Sequence, residues 1–262
     1  MVDAPGDLLV VDGVTRHFGG VRAVEGCSLA VTEGSITGLI GPNGAGKSTL
    51  LELVSGFQRV DAGRIVLGGT EIQGLPAHKV SQLGLVRSFQ SAREWRNLTV
   101  LENVLIAATA REDESLWRAL VGRTQLRQSA AVGRSAARNI LADFGLFDLR
   151  NERAGNLSGG QKRLLEFARI ACARPRMVLL DEPQTGVNPV MGGRMADAIR
   201  QLNASGITIL MVEHNLGFVE RLCDRVWVMN LGSILAVGSL AELRHDARVV
   251  DAYLGSAASR AS

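Results

Sequence analysis

Apolar positions along the chain change their spacing several times, and each change marks a different kind of element. Near the start they alternate with polar ones. LLVVDGVTRHF (8–18) and VRAVEGCSLAVTEG (21–34) read as antiparallel strands, and GRIVLGGTEI (63–72) as a hairpin at the edge of the same β-rich layer. SITGLIG (35–41) is a short strand feeding a glycine loop, and KSTLLELVSG (47–56) takes helical spacing and stops at Gly56. From about Ser91 to Asn156 strand candidates disappear: NLTVLENVLIAATA (97–110) and SAARNILADFGLF (135–147) have helical periodicity and read as an inserted lobe, with a polar, arginine-rich stretch at 111–135 between them. RMVLLDEP (176–183) and GITILMVEH (206–214) are compact apolar runs suited to a buried parallel sheet. DRVWVMNLGSILAVGS (224–239) reads as a hairpin turning near Asn230 to Gly232, and LAELRHDARVVDAYLG (240–255) as one closing helix.

Composition narrows the class without naming an activity. At 262 residues, 46% hydrophobic and 21% charged, the chain can bury a full core as one large α/β domain or as a main domain with a smaller lobe. Net charge is only +3, and the arginines are scattered among the acids without a basic block, which argues against nucleic acid as a partner. Cys27, Cys172 and Cys223 are isolated, so neither a disulfide framework nor a zinc site is expected. The first residues carry Asp3 and Asp7 where a signal peptide wants basic residues, and no apolar run approaches the roughly 18 residues of a membrane span. A cytosolic protein is expected, with any membrane role exercised through a partner.

Two glycine loops carry the chemistry. In GPNGAGKST (41–49) the spacing G-x-x-x-x-G-K-S lies between a strand and a helix, the context of a phosphate-binding Walker A loop. Gly41, Gly44 and Gly46 let the backbone N–H groups of 44–48 turn inward around phosphates, and the helix N-terminus adds partial positive charge. Lys47 can reach the β- and γ-phosphates, and the Ser48 hydroxyl can ligate Mg2+. MVLLDEP (177–183) supplies the matching Walker B strand: Asp181 at its end is suited to hold Mg2+ through water, and Glu182 to polarise an attacking water. The bland alternative is an acidic pair capping the next helix.

The second loop is NLSGGQ (156–161). Ser158 and Gln161 form a capping box, and QKRLLEFARIACAR (161–174) continues as a helix with Leu164, Leu165, Ala168, Ala171 and Cys172 along one face. Gly159 and Gly160 are costly in a first helical turn unless something approaches the backbone closely, and a phosphate is a plausible visitor.

Walker A, LSGGQ and Walker B in that order resemble the nucleotide-binding subunits of ABC transporters. The resemblance implies an α/β fold: a P-loop NTPase (RecA-like) core with an antiparallel β subdomain and an inserted α-helical subdomain. As one ATPase domain over 1–262, it would divide into core and β subdomain (8–90 and 162–240), helical subdomain with the signature motif (91–161), and C-terminal helix and tail (241–262). It implies ATP and Mg2+ as cofactors, with Gly41, Pro42, Asn43, Gly44, Ala45, Gly46, Lys47, Ser48 and Thr49 around the phosphates. Two subunits would pack head to tail, so that Ser158, Gly159, Gly160 and Gln161 cap the γ-phosphate on the partner's loop.

Further roles follow from the same resemblance. Gln90, in VRSFQ, is the Q-loop residue sensing Mg2+ and water, and His214, in MVEHN, contacts the γ-phosphate. Catalysis would then rest on Glu182, His214, Gln90 and Lys47, and metal binding on Ser48, Gln90 and Asp181. Phe18 sits where the family stacks an aromatic on adenine, a core role being its alternative. Arg93, Trp95 and Leu98 are candidates for a groove that receives a permease helix. Asn188 stands in QTGVNP where many relatives carry an acid.

FGGVRAVEGCSL, RNLTVLENV and DAYLG are similar to the ATP-binding subunits of branched-chain amino acid importers and their urea and amide relatives, whereas the segment around 112–134 matches that branch poorly. The resemblance implies permease subunits, a solute-binding protein reached indirectly, no nucleic acid, and a peripheral place on the cytoplasmic face of the membrane. Urea or amide uptake, lipid-type export, and a soluble assembly ATPase of the iron-sulfur scaffold type are the alternatives.

Overall fold

The computed structural model describes residues 6–88, 95–109 and 123–258. The chain divides into two compact units, one formed by residues up to Arg87, Arg176–Glu182 and Gly206 onward, the other by Ser88–Pro175 and Pro183–Ser205.

The first unit contains two sheets. Strands β1 (Asp7–Phe18), β2 (Val21–Thr32), β4 (Ala62–Leu67) and β5 (Thr70–Glu71) form an antiparallel sheet in the order β2-β1-β4-β5. The alternation of the first residues builds it, and β1 bends near Gly13, where its register to both neighbours shifts. The bend brings Gly13 and Gly63 so close that a side chain on Gly63 would strike the Gly13 backbone.

The other sheet runs β10-β9-β3-β8-β7-β6, from β3 (Ile36–Ile40), β6 (Leu85–Arg87), β7 (Met177–Asp181), β8 (Thr208–Val212), β9 (Arg225–Asn230) and β10 (Ser233–Gly238). All pairs are parallel except β9 with β10. Strands β3, β7 and β8 are buried at every position, as near-continuous apolar runs require. Their C-terminal ends therefore come together, where ligands of open α/β sheets gather. Helix α1 (Lys47–Val54) contributes Leu50, Leu51, Leu53 and Val54 to a core that also includes Leu9, Val11, Leu39, Leu179 and Leu210 from the two sheets. The β9–β10 hairpin turns on Leu231 and Gly232, both at positive φ, at the place the sequence indicates.

Three departures from the sequence reading concern this unit. Strand β6 and the short helix α2 (Ala77–Gln82) were not anticipated. Each is too short to show a period, and β6 is defined by its pairing to β7. The closing helix is two helices, α8 (Leu240–Leu243) and α9 (Ala247–Ala258). Between them Asp246 accepts the Arg248 N–H at 2.9 Å, a local side-chain bond that competes with helix continuation. Helix α7 (Leu216–Leu222) completes the unit.

The second unit is helical. Helices α3 (Val100–Thr109), α4 (Arg123–Asp143), α5 (Gly159–Ala173) and α6 (Pro189–Ala204) pack so that α5 touches the other three. It takes in 162–175 and 183–205, stretches that the sequence reading assigned to the core. Asn103 on α3 is fully buried because its amide is spent on the chain entering the helix: it accepts the Trp95 N–H at 2.9 Å and donates to the Trp95 and Thr99 carbonyls. The buried face of α5 carries Leu164, Leu165, Phe167, Ala168 and Ile170, whereas Ala171 and Cys172 are only half-buried. The stripe expected from the sequence is therefore rotated at its far end.

Candidate functional site

The glycine loop is held open by its neighbours. A side chain on Gly41 would strike the Met229 carbonyl, and one on Gly46 the Ala23 carbonyl, so β9 and β2 press against both ends of the loop. Gly46 takes a left-handed φ of 101° as the N-cap of α1, aiming the first free N–H groups of the helix into the loop. Lys47 is 6% exposed, and its Nζ donates to the Gly41 carbonyl at 2.8 Å and the Pro42 carbonyl at 2.9 Å. Burial lowers the Lys47 pKa from its ordinary value, while the Glu182 and Asp181 carboxylates pull it back up.

A cavity of about 450 Å³ opens over this loop. It is lined by residues 43–49, by Val21, Arg22 and Ala23 from β2, and by Glu182 and His214 from the ends of the parallel strands. Lys47 and Ser48 at the start of α1 and Glu182 and His214 just beyond the ends of β7 and β8 are thus brought together. His214 Nε2 lies 2.9 Å from Glu182 Oε1. Glu182 itself adopts a left-handed φ of 49°, its N–H bonded to the Val212 carbonyl at 2.9 Å. A non-glycine residue in that region carries strain, which collects at functional positions.

Asp181 is buried at the end of β7. Its Oδ2 accepts from Arg87 Nη2 at 2.9 Å, and its Oδ1 is buried with no hydrogen-bond partner among the described residues. A buried carboxylate oxygen left in that state fits a site completed by a hydrated cation. Phe18 ends β1 and is 42% exposed, which removes the core alternative; it is not among the cavity-lining residues. The Arg16 guanidinium lies 4.7 Å from its ring centroid and is itself fixed by Asp61 at 2.7 Å. Gln90 and Arg93 lie outside the described residues. Trp95 is exposed, with Arg169 stacked over it at 4.3 Å, and Leu98 is half-buried.

The signature loop belongs to the helical unit. Ser158 caps α5 in a full capping box: Gln161 N–H donates to Ser158 Oγ at 3.3 Å and Ser158 N–H to Gln161 Oε1 at 2.9 Å. The two glycines have different reasons. A Cβ on Gly160 would meet Met191 Cγ at 2.7 Å, so the close visitor there is a side chain of the same chain, and a phosphate is not needed to explain it. A Cβ on Gly159 would meet nothing within 4 Å, leaving that position open to a visitor. Asn188 caps α6, accepting the Met191 N–H at 2.9 Å, which an acid would do equally well.

Sequence reasoning missed several contributors. Arg87 and Glu213 stand inside VRSFQ and MVEHN, and the signal was a charged residue continuing an apolar strand. Val21, Arg22 and Ala23 reach the cavity only through the pairing of β1 with β2. Tyr253, in DAYLG, is drawn to Gly41. Burial pushes its phenol up to about 12, with the Gly41 backbone N–H pulling the other way.

Comparison with known proteins is consistent with this geometry. Residues 24–185 match the family model described as ABC transporter. The chain is 38% identical over 251 residues to the high-affinity branched-chain amino acid transport ATP-binding protein BraF of Pseudomonas aeruginosa, covering 95% of this chain and 98% of that one. It is 36% identical over 251 residues to LivG of Escherichia coli, a protein of the same description, with the same coverage. Among solved structures, an ATP-binding cassette of an ABC transporter in its ADP conformation superposes with a TM-score of 0.80 at 32% identity, covering 95% of this chain and 99% of that one. A dimeric cassette bound to ADP and phosphate, at 22% identity and a TM-score of 0.73, covering 88% of this chain and 98% of its own, shares the fold.

Proposed function

Because the chain belongs to the ABC transporter family, we propose that it is the ATP-hydrolysing subunit of an importer for branched-chain or other hydrophobic amino acids. The chain is an ATP-binding ATPase of that family with a P-loop NTPase fold. The amino-acid assignment is carried by one observation: BraF and LivG, named for branched-chain amino acid transport, match it over nearly their whole length. The same observation does not favour urea, amide, lipid-type export or soluble assembly roles.

In this reading the triphosphate lies against the N–H groups of 44–48, with Pro42, Asn43 and Thr49 shaping the loop. Lys47 transfers its hydrogen bonds from the loop carbonyls to the β- and γ-phosphates. Glu182 receives the proton of the attacking water, and His214, bonded to Glu182, reaches the γ-phosphate. Asp181 Oδ1, which has no partner among the described residues, the Ser48 hydroxyl and Gln90 are the groups that would hold Mg2+. When bound, the cation would neutralise charge growing on the β- and γ-phosphates. Phe18, backed by Arg16, offers its other face to adenine.

A second ATPase subunit completes the site, Ser158, Gly159, Gly160 and Gln161 of one copy capping the γ-phosphate held by the other. Open space at Gly159 and the dimeric cassette of the same fold support this. Permease subunits bind the helical unit near Trp95 and Leu98, a solute-binding protein delivers cargo to them, and the ATPase sits peripherally on the cytoplasmic face. Among the described residues no helix is long and apolar enough to cross a membrane.

The test is co-purification from detergent-solubilised membranes, followed by uptake of labelled leucine, isoleucine and valine in cells carrying Glu182→Gln. A polytopic partner and lost uptake are expected. A complex with soluble subunits only would sink the transport reading, and intact uptake of all three amino acids would redirect the substrate.

A further inference from the structure

The turn joining β8 to α7 contains a buried carboxyl group to which the chemistry above gives no task. Strand β8 is buried at every position, and Glu213 continues it inward at 2% exposure. An apolar side chain would fill that place without the desolvation a carboxyl suffers. The carboxyl is spent on the turn that follows: Glu213 Oε2 accepts the His214 N–H at 3.1 Å and the Asn215 N–H at 3.4 Å. Asn215 then caps α7, accepting the Phe218 N–H at 3.1 Å. Glu213 is not among the cavity-lining residues, and its charge helps to hold the half-buried Cys223 thiol high, behind desolvation and Asp224.

The His214 ring, by contrast, is 45% exposed and reaches Glu182 Oε1 at 2.9 Å. A half-exposed ring has little packing to fix it, so its reach depends on where its backbone is anchored. The side chain of the preceding residue supplies that anchor.

We propose that Glu213 is a positioning residue for ATP hydrolysis, its carboxyl fixing the 214–215 backbone and through it the contact between His214 and Glu182. This rests on the reading of His214 and Glu182 as the hydrolytic pair. The test is a double-mutant cycle on steady-state ATPase activity, with the melting temperature and ADP affinity of each variant measured alongside. Glu213→Ala is expected to lower kcat about ten- to a hundredfold, the scale on which a displacement of about 1 Å acts, with KM for ATP nearly unchanged. Glu213→Gln, which keeps an acceptor oxygen, should recover most of that rate. In a His214→Ala background Glu213→Ala should have no further effect on kcat, because the contact it supports is already gone.

The same loss of kcat with and without His214 would overturn the proposal, as would a Gln variant as damaged as the Ala variant, or an Ala variant with unchanged kcat. If Glu213→Ala fails to fold, Glu213→Asp, one methylene short, takes its place: a smaller loss that vanishes without His214 supports the proposal, and one that persists rejects it. His214→Ala with wild-type kcat would reject the hydrolytic pair itself, an outcome distinct from additivity.

Discussion

His214 Nε2 and Glu182 Oε1 lie 2.9 Å apart, at the ends of adjacent parallel strands and on the rim of the cavity over the glycine loop. The pair couples the group suited to receive a proton from water with a group suited to feel the terminal phosphate. Glu182→Gln keeps the shape and an acceptor oxygen but loses basicity. Hydrolysis is expected to fall by at least about a hundredfold, the lower range of general-base contributions, while ATP binding persists and a dimer accumulates. Single-turnover kinetics and gel filtration with ATP and Mg2+ check this. A near-normal rate would remove Glu182 from the role.

Lys47→Met is expected to abolish ATP binding, measured by titration with a fluorescent nucleotide. It also carries a pH signature. The unfolded chain keeps the ordinary lysine value of 10.5, whereas burial lowers it in the fold. Between the two values the unfolded state holds a proton that the folded state lacks, so stability contributed at this position rises with pH through that window. Melting temperatures of wild type minus Lys47→Met should therefore shift toward the wild type as pH climbs toward 10.5. A flat or opposite trend would contradict the burial of the ammonium group.

Arg87→Met leaves Asp181 buried without its hydrogen-bonded counter-charge, Lys47 remaining as a second positive group, and breaking such a buried pair costs up to about 3–5 kcal/mol. The variant should lose that much in a urea titration at neutral pH. Removing both, with Asp181→Leu alongside, should restore part of it, since an apolar pair has no charge left to desolvate. A single variant as stable as the wild type would show that the 2.9 Å contact carries no weight.

Gly159→Ala and Gly160→Ala separate the two glycines of the signature loop. The Gly160 change drives a methyl into Met191 and should destabilise by roughly 1–3 kcal/mol, an overpacking cost relieved by Met191→Ala. The Gly159 change meets open space and should leave the melting temperature alone while reducing ATP-driven dimerisation and turnover. Ser158→Arg should likewise spoil turnover with monomer affinity for ATP intact. Equal stability of the two alanine variants would refute the packing account.

Much of the fold was legible because its strands are short apolar runs with unambiguous ends: β3, β7 and β8 are each fully buried, and each is followed within three residues by one that lines the cavity, Asn43, Glu182 and His214. The glycine loop was legible because its whole spacing, from Gly41 to Ser48 between a strand and a helix, lies in one continuous stretch. What escaped was what depends on pairing between distant segments. Strand β6 exists because β7 lies beside it, Gly160 is constrained by a methionine 31 residues later, and Arg87 matters because Asp181 is its neighbour in space. No local period records such contacts. The break at Asp246 escaped for the opposite reason, since one side-chain bond outweighed an otherwise continuous helical pattern.

The left-handed backbone of Glu182 has a price in heat resistance, about 1 kcal/mol for a residue with a Cβ. Glycine or asparagine would sit there more comfortably. On the proposed reading of Glu182 as the proton acceptor, Glu182→Asn would therefore gain heat resistance and lose turnover in the same step.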